Sequence, residues 1–304
     1  MKKRRVASMI GGGLALSLAL YAGLTLAERR AGEDAVAVDG PADGRQAASL
    51  TPVSITAVSE TIGETGPLLR VAGRAEPDSV IVLSDRGERI RQVRSDDGGL
   101  WSASLNVPPA PMAVEAVLFH GGEDGSGATS IRGVETVFRI HRDADRAAGA
   151  PALIMVSAPA APSRIVSSPF GGLPGSGPLY VGAVDYDDAG GVIFSGLSEV
   201  AGRVRVYVAN SAIGDTRVGP DGRWAYIAAS VMPLGEYDVR AELIPEAGGE
   251  RVSVTVPFER LPPVPEAASG DDGALSVEFE PFRWQIRRSL VGGGLQSTAI
   301  FAPE

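Results

Sequence analysis

The chain contains no cysteine, which excludes disulfides, thiolate nucleophiles and cysteine-held metals. Histidine is almost as scarce, with only His120 and His141 present, and no HExxH, GxSxG or SxxK spacing occurs. The chain is therefore expected not to be an enzyme and to use no cofactor or metal. Basic residues are also in deficit: 28 Lys and Arg against 37 Asp and Glu give a formal net charge of -9, and four of the cations sit together at Lys2, Lys3, Arg4 and Arg5. Phosphate contact needs a clustered basic surface, so no nucleic-acid partner is expected. Aromatic residues make up only 6%, including 3 tryptophans, and two of those three lie in similar surroundings.

What the chain has in quantity is Gly (39), Pro (22) and small apolar residues, a mixture that favours short strands between turns over long helices. Trp101 follows the stretch SDDGGL and Trp224 follows GPDGR. Each is preceded by an Asp-Gly turn and enters an alternating segment. The two surroundings align further, as a strand ending in Gly73 or Gly196, an apolar strand (80–83 or 204–208), another strand, the Asp-Gly turn with its Trp, a Pro-containing loop and a final strand. In 203–208 the valines Val204, Val206 and Val208 alternate with Arg203, Arg205 and Tyr207, the period of a strand with one face on a core. An internal repeat of β-sandwich character is expected, over 68–142 and 179–260, with Trp101 and Trp224 as equivalent core residues.

The N-terminus differs. After the four cations, residues 6–27 carry no charge, and as a helix they reach about 33 Å, enough for a hydrocarbon core of about 30 Å. A transmembrane anchor is expected, with a cleaved secretory signal as the alternative. The positive-inside rule puts the N-terminus in the cytoplasm and the bulk of the chain outside the inner membrane, in the periplasm. Residues 28–67 have few large apolar side chains and read as a flexible tether. Residues 143–178 and 261–274, rich in Ala, Pro and Gly, read as linkers, although Ala152 to Val156 has the character of a short strand added to a neighbouring sheet.

Both repeats resemble the bacterial immunoglobulin-like domains of envelope and surface proteins, through VAGRAEPDSVIV with DDGGLW and FSGLSEVAGRVRVYV with GPDGRW. That resemblance implies sandwich modules used as spacers, adhesins or docking domains and fixes no single activity.

The C-terminal residues 275–304 read as a strand followed by an amphipathic helix, with Trp284, Ile286 and Leu290 at near-helical spacing, Arg283, Arg287 and Arg288 on polar positions, and Gly292 to Gly294 as the stop. The strand at Val277, the W-x-I of Trp284 and Ile286, and Gly292 resemble the first half of a LysM peptidoglycan-binding module. The resemblance implies a shallow glycan groove around Phe282, Arg283 and Trp284, with peptidoglycan as partner. The sequence departs from it at the glycan-contacting loop, replaced here by FEPF at 279–282, and in having no second helix and strand before Glu304. The expected fold class is thus mainly β: two immunoglobulin-like sandwiches after a transmembrane helix, with a short strand-helix segment at the end. Two functions follow: a membrane-anchored, peptidoglycan-binding envelope protein, or a spacer or protein-interaction module that binds a periplasmic protein through its sandwiches. The acidic stretch Asp185 to Asp188 is read as turn chemistry, with Ca²⁺ as the alternative.

Overall fold

The computed structural model describes residues 52–64, 66–120, 129–170, 177–229, 231–263, 274–290 and 293–302, apart from the side chains of residues 120 and 129. The expected anchor at 6–27 lies outside the described residues. Among the described residues no helix is long and apolar enough to cross a membrane.

Turn-forming Gly and Asp residues divide the chain into strands β1 (Ser54–Gly63), β2 (Gly66–Arg74), β3 (Val80–Asp85), β4 (Glu88–Arg94), β5 (Leu100–Asn106), β6 (Met112–His120) and β7 (Thr129–Ile140). A single-turn helix α1 (Asp143–Ala147) leads to β8 (Leu153–Ser157) and β9 (Arg164–Ser167). The second half holds β10 (Tyr180–Asp187), β11 (Val192–Leu197), β12 (Gly202–Val208), β13 (Ser211–Arg217), β14 (Arg223–Ile227), β15 (Gly235–Pro245) and β16 (Val252–Arg260). The chain closes with β17 (Leu275–Phe279), β18 (Arg283–Ser289) and β19 (Leu295–Phe301).

Among the described residues these strands form four antiparallel sheets: β1-β2-β5, β4-β3-β6-β7-β8-β9, β14-β11-β10-β19-β18-β17 and β13-β12-β15-β16. The internal repeat is visible in these orders. Strands β1 to β7 pair as 1-2-5 and 4-3-6-7, and β10 to β16 pair in the same relative order. The first repeat therefore begins at β1, inside the stretch read as tether. There the buried Ile55 and Val58 were masked by the surrounding Ser, Thr and Glu.

Each repeat closes its own interior. Leu69, Val71, Ile81, Leu83, Trp101 and Leu118 fill the first, between the first and second sheets, and Val181, Phe194, Val204, Val206, Trp224 and Leu243 fill the second, between the third and fourth. Trp101 and Trp224 are both buried at equivalent places. Trp101 pairs with Gly73 and Trp224 with Gly196 on the neighbouring strand. A Cβ on Gly73 would lie 1.8 Å from the Ser54 carbonyl oxygen and 2.7 Å from Trp101, and one on Gly196 1.9 Å from the Tyr180 oxygen and 2.8 Å from Trp224. Only glycine leaves room for the indole and the adjacent strand together. The Asp-Gly turns are equivalent as well. Gly99 (φ 74°) and Gly222 (φ 75°) take the left-handed conformation, and their carbonyls accept the Ala75 and Ser198 amides at 2.9 and 2.7 Å.

The segments outside the repeats depart most from expectation. Residues 143–178 are not simply a linker: β8 and β9 extend the second sheet beyond β7, so the stretch from Ala152 to Val156 does enter a strand, Leu153–Ser157, buried on both faces. The helix expected from Trp284 is strand β18, paired with β17 on one side and β19 on the other. Its cause is burial of both faces. Trp284, Ile286 and Arg288 point one way and Gln285 and Arg287 the other, and all five are buried. The sequence thus loses the alternation of a half-exposed strand and imitates a helix.

Through β19, which pairs with β10, the C-terminal strands widen the third sheet as β8 and β9 widen the second. These extensions face each other across a third interior made by Phe138, Ile140, Leu153, Met155, Trp284, Ile286 and Ile300. The two stretches outside the repeat thus build the layer that joins the sandwiches. Among the described residues the three interiors are built from Val53 onwards, and Leu50–Glu304 forms one compact unit.

This middle layer has a polar end. Arg288 donates through Nε and Nη2 to Gln296 Oε1 at 2.9 and 2.6 Å and through Nη1 to the Thr136 hydroxyl, while Gln296 Nε2 donates to Ser157 Oγ at 3.2 Å. Burial draws the Arg288 guanidinium down to about 10, which leaves it charged at neutral pH. Asp185 accepts from the Ser163 amide (2.7 Å), the Ser163 hydroxyl (2.6 Å) and the Thr298 hydroxyl (2.6 Å). Burial pushes its carboxyl above the ordinary range, against the opposing pull of those donors and of Arg288. A raised folded-state value adds stability below the unfolded value of about 3.9 and loses it as pH rises through the folded value. The stability of the native chain relative to Asp185→Asn is therefore expected to fall between acid and neutral pH. Urea unfolding of both proteins across that range checks this, and a flat or rising difference would contradict it.

Candidate functional site

Of the three residues read as a glycan site, the fold turns Trp284 inward, away from Phe282 and Arg283. Trp284 has no exposed surface; it is packed edge-on between Phe170 (5.3 Å) and Phe279 (4.8 Å). Sugar stacking needs an open ring face, so this indole is a core residue. Phe282, in the β17–β18 turn, is 75% exposed, and Arg283 is mostly buried beside it.

Phe282 and Arg283 instead line a groove of about 540 Å³ between that turn and the facing strands β15 and β16. The turn is closed by the Glu280 amide donating to the Arg283 carbonyl at 2.9 Å, and the Ala302 amide holds the Phe282 carbonyl at 2.9 Å. These bonds fix the backbone from which the Phe282 ring projects. Across the groove, Tyr237 stacks on Phe258 (6.5 Å, 25°) and its hydroxyl donates to the Pro233 carbonyl at 3.0 Å. The strand alternation that sends Tyr237 towards Phe258 leaves its neighbours Glu236 and Asp238 exposed.

The electrostatics of the groove are lopsided. Among the described residues, Glu236, Asp238, Glu259 and Glu280 line it with Arg283 as the single cation, four acidic residues to one guanidinium. Arg283 Nη2 lies 2.7 Å from Glu280 and 3.6 Å from Glu259. Glu236 and Asp238 make no side-chain ion pair among the described residues. The wall is an edge: β16 ends the fourth sheet, but Pro257 within it has no N–H to offer a further strand. Recognition here therefore runs through side chains, with carboxylates and an exposed ring as the contacts, and suits a cationic, partly apolar segment. Of these groups only Phe282 and Arg283 had been singled out from sequence. The GEYD and FER stretches that bring the acids hold a signal, charge beside aromatics, but their convergence depends on the pairing of β15 with β16.

The remaining candidates are structural. Among the described residues no group of three or more His, Asp and Glu side chains is placed to hold a metal ion. Within 185–188, Asp187 accepts the Gly191 amide at 2.9 Å, closing the turn before β11, while Asp185 is spent in the middle layer. Asp96 likewise accepts the Gly98 and Leu100 amides at 2.9 and 2.8 Å. His141 Nε2 meets the Ala150 carbonyl at 3.0 Å, and burial together with Arg139 lowers its pKa. The side chain of His120 lies outside the described residues. No protein-family model matches the chain, and no curated protein matches it.

Proposed function

We propose that the chain is a non-enzymatic scaffold of the bacterial cell envelope, made of two immunoglobulin-like sandwiches and held at the inner membrane by residues 6–27. Its working surface in this reading is the acidic groove beside Phe282, which docks a cationic segment of a periplasmic protein. The strand order 1-2-5 against 4-3-6-7, found in both repeats, supports the immunoglobulin-like description, with the fourth strand in the second sheet of each sandwich. The observation that carries the docking role is the groove itself: four carboxylates around one exposed phenylalanine, with a single arginine in partial compensation. The alternative, peptidoglycan binding through the C-terminal segment, is weakened by the burial of Trp284 in the middle layer.

A photo-crosslinking residue placed at Phe282 in the full chain in cells tests this, with the same residue at the exposed Ile62 as control. A discrete protein adduct is expected at 282 and not at 62. Glu236→Lys combined with Glu280→Lys is expected to abolish it, because two reversals turn an attractive field repulsive at the point of contact. The absence of any protein adduct at 282, together with sedimentation on peptidoglycan sacculi that depends on Phe282, would overturn the docking reading in favour of the glycan one.

A further inference from the structure

A second cavity, of about 430 Å³, lies at the other side of the third sheet, where β9 and β14 end the second and third sheets. Its walls are mainly apolar, with Ile165, Ala183, Leu197 and Ala225 among them. The polar side chains in those walls are all committed elsewhere. The Tyr180 hydroxyl donates to the Phe301 carbonyl at 2.6 Å, the Trp224 indole N–H to Leu197 O at 3.3 Å, the Ser195 hydroxyl to Ala183 O at 3.4 Å and the Ser163 hydroxyl to Asp185 at 2.6 Å. Side chains so committed offer little to the hydroxyls of a sugar, which would be buried without partners.

The exceptions are two arginines. Arg164, on β9, and Arg223, at the start of β14, both line the cavity. Arg223 has a loose ion pair with Asp221 at 3.6 Å and a long hydrogen bond to Ile165 O at 3.4 Å, and Arg164 has no acidic partner among the described residues. Burial lowers the Arg223 pKa, and the neighbouring positive charge of Arg164 lowers it further. Two half-buried guanidiniums close enough to repel each other, beside an apolar cavity, are an arrangement that an anion relieves. The volume lies in the range of small-molecule sites, which favour junctions between domains, and this cavity sits at the junction of the two sandwiches.

The geometry points to a binding site for a single-chain amphiphile with an anionic head, the carboxylate or phosphate held by Arg164 and Arg223 and the apolar chain lying in the cavity against Ile165 and Leu197. This site is separate from the acidic groove and does not depend on the docking role.

Calorimetric titration of the unit 50–304, which contains all three interiors, tests it with four probes below their micellar concentrations: decanoate, lyso-phosphatidylglycerol, decanol and acetate. Saturable one-site binding is expected for decanoate or lyso-phosphatidylglycerol, and the tighter of the two tells whether the head comes from a free acid or a membrane lipid. Decanol is expected to bind at least tenfold more weakly and acetate not at all. Arg164→Gln, a change at a half-exposed position, is expected to weaken the anionic probes about tenfold while leaving decanol unchanged. Arg223→Gln is expected to do the same, with thermal melting to verify that each variant is folded. Equal affinity for decanoate and decanol, an unchanged affinity in folded Arg164→Gln, or no saturable binding of either anionic amphiphile to the folded unit would overturn the assignment.

Discussion

Trp284→Ala is expected to lower the unfolding free energy by about 3–5 kcal/mol, the range for truncating a fully buried large aromatic. The side chain is wholly enclosed, touching Phe170 and Phe279 edge-on in the interior that joins the two sandwiches. Phe282→Ala, two residues away and 75% exposed, is expected to change stability by no more than about 0.5 kcal/mol. Chemical denaturation of the two variants beside the native protein measures both. A role for Trp284 on a ligand surface requires the opposite ranking, with Trp284→Ala folded and nearly as stable as the native chain.

The second large effect belongs to the glycines under the tryptophans. Gly73→Ala and Gly196→Ala each place a methyl group less than 2 Å from a carbonyl oxygen of the adjoining strand and under 3 Å from the indole. Neither obstacle is the end of a flexible side chain, so the strands must separate or the indole must leave its place. Overpacking of this kind costs about 3 kcal/mol or more. Because the two sites are equivalent, the two losses are expected to be alike. Gly98→Ala is the control, since its nearest neighbour is the Asp96 carboxylate at 3.3 Å, and it is expected to cost less than about 1 kcal/mol. Tolerance of alanine at either Gly73 or Gly196, judged by denaturation midpoint, would mean that the Gly–Trp pairing does not set the strand spacing.

The same residues explain why the repeat was legible in the sequence. Gly73 with Trp101, Gly196 with Trp224 and the left-handed Gly99 and Gly222 are positions where backbone geometry admits few residue types, so the chemistry recurs even where the rest of the sequence has drifted. The middle layer left no such mark. Its strands β8, β18 and β19 are buried on both faces, and β18 fills one of them with Trp284, Ile286 and Arg288. A charged residue at an inward position hides the strand period, and its partners Gln296 and Thr136 are 8 and 152 residues away. Long-range polar pairing of that kind cannot be read from local pattern. Strand β1 was hidden for a related reason, since its place in the fold depends on pairing with β2 and on the Glu60 carboxylate receiving Arg139 of β7 at 2.9 Å.

The acidic groove was legible only in part. Phe282 and Arg283 drew notice through a resemblance that led to a helix, whereas the fold puts them in a turn opposite Glu236, Asp238 and Glu259. Of the two arginines of the second cavity, Arg164 lies on the added strand β9 and Arg223 in the second repeat, on the edges of different sheets, and only the joining of the sandwiches brings them together.

Amide hydrogen exchange on the unit 50–304 probes that joining. The amides of β18 and β19, next to the C-terminus, are expected to be as protected as those of β12 and β15 within the second sandwich, because they open only when the middle layer does. Fast exchange across residues 283–301, with the two sandwiches still protected, would contradict the account and return the segment to an appendage outside the core.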